Sequence, residues 1–167
     1  AIRGAIWYQG EANAHSINDA THYRKQMENL ITSWRQVWGQ GDFHFYYVQL
    51  PNFRKPWTHP VEAKERWPYI RESFLKTSKE VPDSDMAIAI DVGEERSIHP
   101  RNKQDVGNRL ARLALNDVYK RTDIVRTGPV IESAVAKAGR IILTFNNGGA
   151  PLSVKGDKLA GFAVEDK

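Results

Sequence analysis

The first 120 or so residues alternate between short apolar runs and segments with helical periodicity. The apolar runs cover residues 4–8, 43–50 and 86–90, and each ends at a turn-forming or polar residue, as buried strands do. Apolar side chains recur at helical spacing over residues 20–38, 67–81 and 106–118. The order β-α-β-α-β-α predicts an α/β fold with a parallel sheet and right-handed crossovers.

The start of the first helix and the pattern after Arg126 give two further predictions. Asn18 or Asp19 is suited to cap that helix. Beyond Arg126, short strands are predicted at residues 130–136, 140–145 and 159–164, separated by glycine-rich turns. We therefore expect two units, residues 1–124 and a β-rich unit over residues 125–167 that is cut short.

Composition excludes several classes of function. The 167 residues carry 24 Lys and Arg against 20 Asp and Glu, a net charge of +4, but the basic residues are interspersed with acids. This argues against nucleic-acid binding, which needs basic residues gathered on one face. Cysteine is absent, which removes disulfides, thiolate catalysis and Cys-type zinc sites. No apolar run approaches the roughly 20 residues of a membrane span.

Two loops are the places where chemistry is expected. Ligands of open parallel sheets bind beyond the carboxyl ends of the strands, which selects residues 9–13 and 91–103. His99 is a candidate general base, and the amide of Gln9 is a candidate donor to an oxyanion. The alternatives are a solvated surface histidine and a glutamine that ties down its own loop. Glu11 is a candidate structural acid paired with an arginine.

The sequence does not favour a metal enzyme or a serine nucleophile within this chain. No two of the five histidines have the i, i+4 spacing of a helical metal site. None of the serines lies on a tight glycine turn after a strand, the setting that a nucleophile needs on this kind of fold. Ser97 is close to His99 in sequence, and we expect it to shape the loop. No cofactor is predicted.

Two segments resemble a known family. They are Gly-Ala-Ile-Trp-Tyr-Gln-Gly-Glu-Ala-Asn at residues 4–13 and Ser-Ile-His-Pro-Arg-Asn-Lys at residues 97–103, preceded by Asp91. Together they resemble the sialate O-acetylesterases, a branch of the SGNH hydrolases, over about residues 1–120. The resemblance implies a three-layer flavodoxin-like parallel sheet, present in part, followed by the start of a β-sandwich domain.

The resemblance also implies a mechanism of acyl transfer from an O-acetylated sugar, with O-acetyl sialic acid as the first candidate. A serine attacks the acetyl carbonyl, His99 takes and returns its proton, and Gln9 stabilises the oxyanion. Gly10, Glu11 and Asn13 are then substrate-binding residues. Gly10 matches the family glycine that permits close approach to the substrate. The resemblance further implies a secreted or periplasmic protein.

Two departures from the family pattern affect these expectations. The Gly-x-Ser-Asn nucleophile motif is absent, so we expect an N-terminal segment of the same protein to supply the serine and at least one strand. Arg96 occupies the position where many superfamily members have an acid. Asp91 is then the favoured partner of His99, with Glu94, Glu95 or a Ser–His dyad as alternatives. A non-catalytic carbohydrate-binding or scaffold protein is the competing interpretation, and the aromatic-rich loop 53–67 would suit sugar stacking in either case.

Overall fold

The computed structural model describes residues 1–56, 65–146, 150–154, 156–157 and 159–164. The predicted alternation of strands and helices over the first 120 or so residues is confirmed, and a hairpin follows. In chain order the elements are β1 (Gly4–Trp7), α1 (Ile17–Trp38), β2 (His44–Gln49), α2 (Trp67–Glu80), β3 (Ser84–Ile88), α3 (Lys103–Asp117), β4 (Val130–Lys137) and β5 (Arg140–Asn146).

The first three strands form one parallel sheet in the order β1-β2-β3. Ala5 lies opposite Phe45, and Phe45 in turn lies opposite Ser84. Helices α1 and α2 pack against each other on one face, and α3 packs on β2 and β3 from the other. The fold class is therefore α/β with a partial parallel sheet between two helical layers, as predicted.

Each face of the sheet has its own apolar core. Because side chains alternate along a strand, odd-numbered residues of β2 face α1 and α2 and Val48 faces α3. The larger core includes Tyr23, Met27, Ile31, Phe45, Tyr47, Ile70 and Phe74, and the smaller one is built from Val48, Ala89 and Val106 with Leu110 beside them. The two helical layers thus hold the carboxyl ends of the strands in fixed positions.

Helix α1 starts earlier than the periodicity indicated. Ser16 is its N-cap: the Ser16 hydroxyl accepts from the Asp19 backbone N–H at 3.0 Å and donates to the Asp19 carboxylate at 2.7 Å. The prediction of Asn18 or Asp19 as the cap is wrong. A hydroxyl one turn ahead of Asp19 satisfies one of the free N–H groups, and Asp19 lies inside the first turn, where the helix dipole favours an acid.

The segment after α3 is only partly as predicted. Strands β4 and β5 pair in an antiparallel hairpin, which confirms two of the expected strands and the turn at Gly139. The third predicted strand, over residues 159–164, is wrong: these residues form no regular structure apart from a bend at Gly161, and Leu159 and Phe162 are exposed. A strand needs a neighbour to satisfy its backbone groups. The expected turn at 147–149 and most of the loop 53–67 lie outside the described residues.

The division of the chain into two units, residues 1–124 and 125–167, stays a prediction.

In the described ranges, no helix is both long enough and apolar enough to cross a membrane.

Candidate active site

The two loops selected from the sequence lie at the same end of the parallel sheet and are in contact. Lys103, which begins α3, places its Nζ 4.4 Å from the ring centre of Tyr8, the residue before Gln9. Glu11 and Ile98, one from each loop, line a common cavity. The loop after β2 joins them, because the Asn52 side chain accepts from the Gly93 backbone N–H at 2.8 Å. Three consecutive strand ends therefore build one site.

The Gln9 side chain is held in one orientation by two hydrogen bonds, one at each end of its amide. The Tyr23 hydroxyl donates to the Gln9 side-chain oxygen at 2.8 Å and lies 3.0 Å from the Gln9 backbone carbonyl. The Gln9 Nε2 donates to the Asn13 Oδ1 at 2.7 Å, and the Asn13 Nδ2 donates to Gln26 at 2.9 Å. An Nε2 group has two hydrogens, and the second N–H of Gln9 has no partner among the described residues. Gln9 therefore ties its loop and, within those residues, keeps one free donor.

Gly10 is required by the protein core. It is buried with φ +151°, a backbone conformation that side chains other than glycine rarely adopt. A Cβ at this position would lie 3.1 Å from the ring of Phe74 and 3.5 Å from Ile70. The missing side chain thus makes room for α2, while close approach to a substrate stays a prediction.

Glu11 and Asn13 belong to a single 3-10 turn, Glu11–Asn13, after β1. Asn13 connects Gln9 to α1 as described above. Glu11 is half-buried and lines the shared cavity, and its negative charge adds to burial in raising the pKa of Tyr8. Their role as substrate-binding residues stays a prediction.

His99 is exposed at the rim of the site, and its main chain is clamped. The Ser97 hydroxyl donates to the His99 carbonyl at 3.0 Å and lies 3.2 Å from the His99 N–H. Ser97 therefore shapes the loop, as expected. Glu94 adds a second restraint, accepting from the Arg101 backbone N–H at 2.7 Å, and this hydrogen bond is the main cause that lowers the pKa of Glu94.

Asp91 binds an arginine in this structure. Both of its carboxylate oxygens accept from Arg109 of α3, at 2.6 and 2.7 Å, and Arg109 also donates to the Ile88 carbonyl at 2.5 Å. The expected pairing of Asp91 with His99 stays a prediction. Arg109 can reach the end of β3 because it lies on the second turn of α3, directly above that strand end. This ion pair fixes α3 against β3.

A cavity of about 200 Å³ adjoins the two loops. Phe53 and Trp67 line it with ring centres 5.9 Å apart, together with Glu11, His15, Arg54 and Ile98. The Trp67 indole N–H donates to the Pro51 carbonyl at 2.8 Å, which fixes the ring. A cavity with aromatic faces and a few charged groups is suited to a small-molecule ligand. Within the described part of the chain, no cluster of three metal-ligating side chains is found.

Sequence reasoning missed the contribution of Tyr23 to this site. The helical spacing of α1 assigned Tyr23 to the core face, and the structure does bury its ring there. Its hydroxyl, however, reaches Gln9. The available signal was the hydroxyl itself, because a buried tyrosine O–H needs a polar partner.

The model of the carbohydrate esterase family of sialic acid-specific acetylesterases matches residues 1–116, which include both loops. The chain belongs to this family. Mouse sialate O-acetylesterase is 31% identical over 159 residues, which are 87% of this chain and 29% of the mouse protein. The human protein of that name is 29% identical over 158 residues, 86% of this chain and 30% of the human protein.

Solved structures agree with the family assignment. A carbohydrate acetylesterase from Xanthomonas citri is 37% identical with a TM-score of 0.77, covering 89% of this chain and 33% of that one. An Arabidopsis thaliana protein with a TM-score of 0.56 and 20% identity shares the fold; the match covers 71% of this chain and 45% of that one. This esterase-family chain thus spans about a third or less of the curated relatives and of the Xanthomonas enzyme. The predicted resemblance is confirmed.

Proposed function

We propose that this chain forms part of a carbohydrate O-acetylesterase, in which Gln9 and His99 act on an acetyl ester. The observation that carries the proposal is the meeting of two loops at the carboxyl end of the sheet. One presents an oriented amide with a free N–H, and the other presents an exposed imidazole on a clamped backbone. An oxyanion donor and a general base are two of the three groups that acyl transfer by a serine requires.

The proposed reaction has two steps. A serine oxygen attacks the acetyl carbonyl while His99 accepts its proton, and the free N–H of Gln9 stabilises the oxyanion of the tetrahedral intermediate. His99 then gives the proton to the leaving sugar hydroxyl. Water attacks the acetyl-enzyme by the same path, with His99 again accepting and returning the proton, and acetate leaves.

The acid that would orient His99 is a separate part of the proposal. Arg109 engages both oxygens of Asp91, and Arg101 engages Glu94. Of the alternatives that the sequence left open, Glu95 and a Ser–His dyad are then the ones we favour. Asp91 then acts on the site through α3, by holding the helix that follows the His99 loop.

The serine and further strands are proposed to come from an N-terminal segment of the same protein. Support comes from β1, whose one pairing among the described strands is with β2. Ile6 on this strand is 69% exposed, whereas Val48 at the centre of the sheet is fully buried. An additional strand beside β1 and a helix over Ile6 would bury this surface.

The proposed substrate is an O-acetylated sugar, with O-acetyl sialic acid as the first candidate. The Phe53–Trp67 pair offers apolar faces to a sugar ring, and the Arg54 guanidinium lies 5.5 Å from the Phe53 ring centre at the cavity wall. A secreted or periplasmic location, which the family resemblance implies, is also part of the proposal.

The proposal is tested by His99→Ala in the full-length protein. Loss of the general base should lower acetyl release from an O-acetylated sugar by about 10³-fold. His22→Ala is the matched control, because His22 is another exposed histidine, on α1, with no role in the proposed reaction. A His99 variant with the turnover of the control would contradict the assignment.

A fluorophosphonate probe tests the missing nucleophile. Intact-mass spectrometry of the full-length protein should show one adduct, located by peptide mapping on a serine N-terminal to this chain. A full-length protein that takes up no probe and releases no acetate would instead be the non-catalytic carbohydrate-binding alternative.

A further inference from the structure

We infer that Tyr23 is a positioning residue for the oxyanion donor: its hydroxyl fixes the Gln9 amide so that Nε2 faces the substrate. This inference rests on the proposed function of Gln9. The Tyr23 hydroxyl lies within hydrogen-bond distance of two Gln9 atoms, the side-chain oxygen at 2.8 Å and the backbone carbonyl at 3.0 Å. Both atoms are acceptors, so Tyr23 must donate.

This direction of donation decides which end of the amide is presented to the site. A side-chain amide can turn by 180° and exchange its oxygen and nitrogen with little change in shape. In the turned state the Gln9 nitrogen would face the Tyr23 hydroxyl and the oxygen would face both Asn13 Oδ1 and the oxyanion. The turned state would set the Gln9 oxygen against Asn13 Oδ1, two acceptors at hydrogen-bond distance, and the Tyr23 hydroxyl would lose the side-chain oxygen that accepts its proton.

The hydroxyl is well suited to this task because it is rigid and stays protonated. Tyr23 is 3% exposed, and its ring packs edge-on to Phe74 with centres 5.2 Å apart. Burial raises the pKa of Tyr23 to about 12, against an opposing effect from the Trp7 indole and with a further rise from Glu11. The group is therefore a neutral donor throughout the range in which a histidine base works.

Helix α1 holds the Gln9 loop at a second point on the same face. Gln26, three residues after Tyr23, accepts from the Asn13 Nδ2 at 2.9 Å, and Asn13 accepts from Gln9. Tyr23 donates to Gln9, Gln9 donates to Asn13, and Asn13 donates to Gln26. In such a chain each hydrogen bond polarises the next. Tyr23 of α1 thus fixes the oxygen of Gln9, and Gln26 of α1, acting through Asn13, fixes one of its N–H groups.

The test is Tyr23→Phe in the full-length enzyme, with kcat and KM measured on an acetylated sugar. The variant keeps the ring that packs on Phe74, and Gln9 loses its orientation in the transition state, so kcat should fall about tenfold with KM changed less than about twofold. Tyr47→Phe is the matched control: it also removes one buried hydroxyl, which donates to the Phe74 carbonyl at 3.1 Å, and should keep kcat. Both are assayed well below their melting temperatures.

A double-mutant cycle with Gln9→Ala tests the positioning role of Tyr23 separately from the proposed role of Gln9 as oxyanion donor. Gln9→Ala should lower kcat by about 100-fold, and adding Tyr23→Phe should then lower it no further. A tenfold loss that persists in the Gln9→Ala background, or a Tyr23→Phe enzyme equal to Tyr47→Phe, overturns the positioning role alone. A Gln9→Ala enzyme with normal kcat overturns both the proposed role of Gln9 and this inference.

Discussion

At the residue scale, Gly10 shows how closely the site is built onto the core. Its φ of +151° and the contact that a Cβ would make with Phe74 both oppose any side chain. We predict that Gly10→Ala lowers the free energy of unfolding by about 2 kcal/mol, measured in urea. Gly107→Ala is the control: Gly107 lies within α3 with open space around it, so alanine should stabilise by about 0.5–1 kcal/mol. Equal effects of the two changes would contradict this account.

The positions of the site residues could be predicted from the sequence, but their hydrogen-bond partners could not. The positions of Gln9 and His99 at strand ends followed from the topology, since the order of elements places both loops at one edge of the sheet. The partners of these residues did not follow. Tyr23 meets Gln9 across 14 residues and Arg109 meets Asp91 across 18, and such pairings depend on how helices settle on the sheet. Periodicity reports only which face a residue is on.

At the scale of elements, Arg35 joins the end of α1 to the segments that lead into β2 and β3. Its side chain is 7% exposed and donates to the carbonyls of Phe43 at 2.9 Å and Pro82 at 2.8 Å. We predict that Arg35→Met lowers the free energy of unfolding by about 2–4 kcal/mol, because buried carbonyls lose their donor. Arg24→Met removes only an exposed ion pair with Glu80 and should cost less than about 1 kcal/mol in the same urea titration. Similar losses would contradict the difference in burial.

Element types were predictable where periodicity was strong, and their ends were less so. The aromatic stripe of α1 predicted a helix, yet its start at Ile17 depends on the Ser16 cap, which carries no periodic signal. Residues 159–164 have the apolar content of a strand without forming one. Strand formation depends on a partner, and hydrophobic composition alone does not supply it.

At the scale of the whole molecule, one ion network joins the sheet, α3 and the segment before β4. Arg126 donates to both oxygens of Asp117, at 2.7 and 2.8 Å, and also binds Asp85 of β3. The Tyr46 hydroxyl of β2 donates to Asp117 at 3.0 Å. Because this network lies at the opposite end of the strands from the loops, it stabilises the fold without contacting the proposed site.

The network makes stability depend on pH in a defined direction. Burial by itself raises the pKa of Asp117, but Arg126 and the Tyr46 hydroxyl outweigh burial, and the pKa lies below its usual value. The unfolded chain therefore binds its proton at a higher pH than the native state does. The stabilisation is complete above the unfolded pKa of about 4 and is lost as pH falls through the native value.

Asp117→Asn tests this directly. We predict that it lowers the free energy of unfolding by about 1–2 kcal/mol at pH 7, and that the difference from the natural protein shrinks as the pH is lowered from 5 towards 2. Urea titrations across this range measure the effect. Asp123→Asn is the control, since Asp123 binds Arg121 through the same two-point geometry but in solvent, where such pairs contribute little. A difference for Asp117→Asn that is constant from pH 7 to 2 would mean that its carboxylate charge is not what stabilises the network.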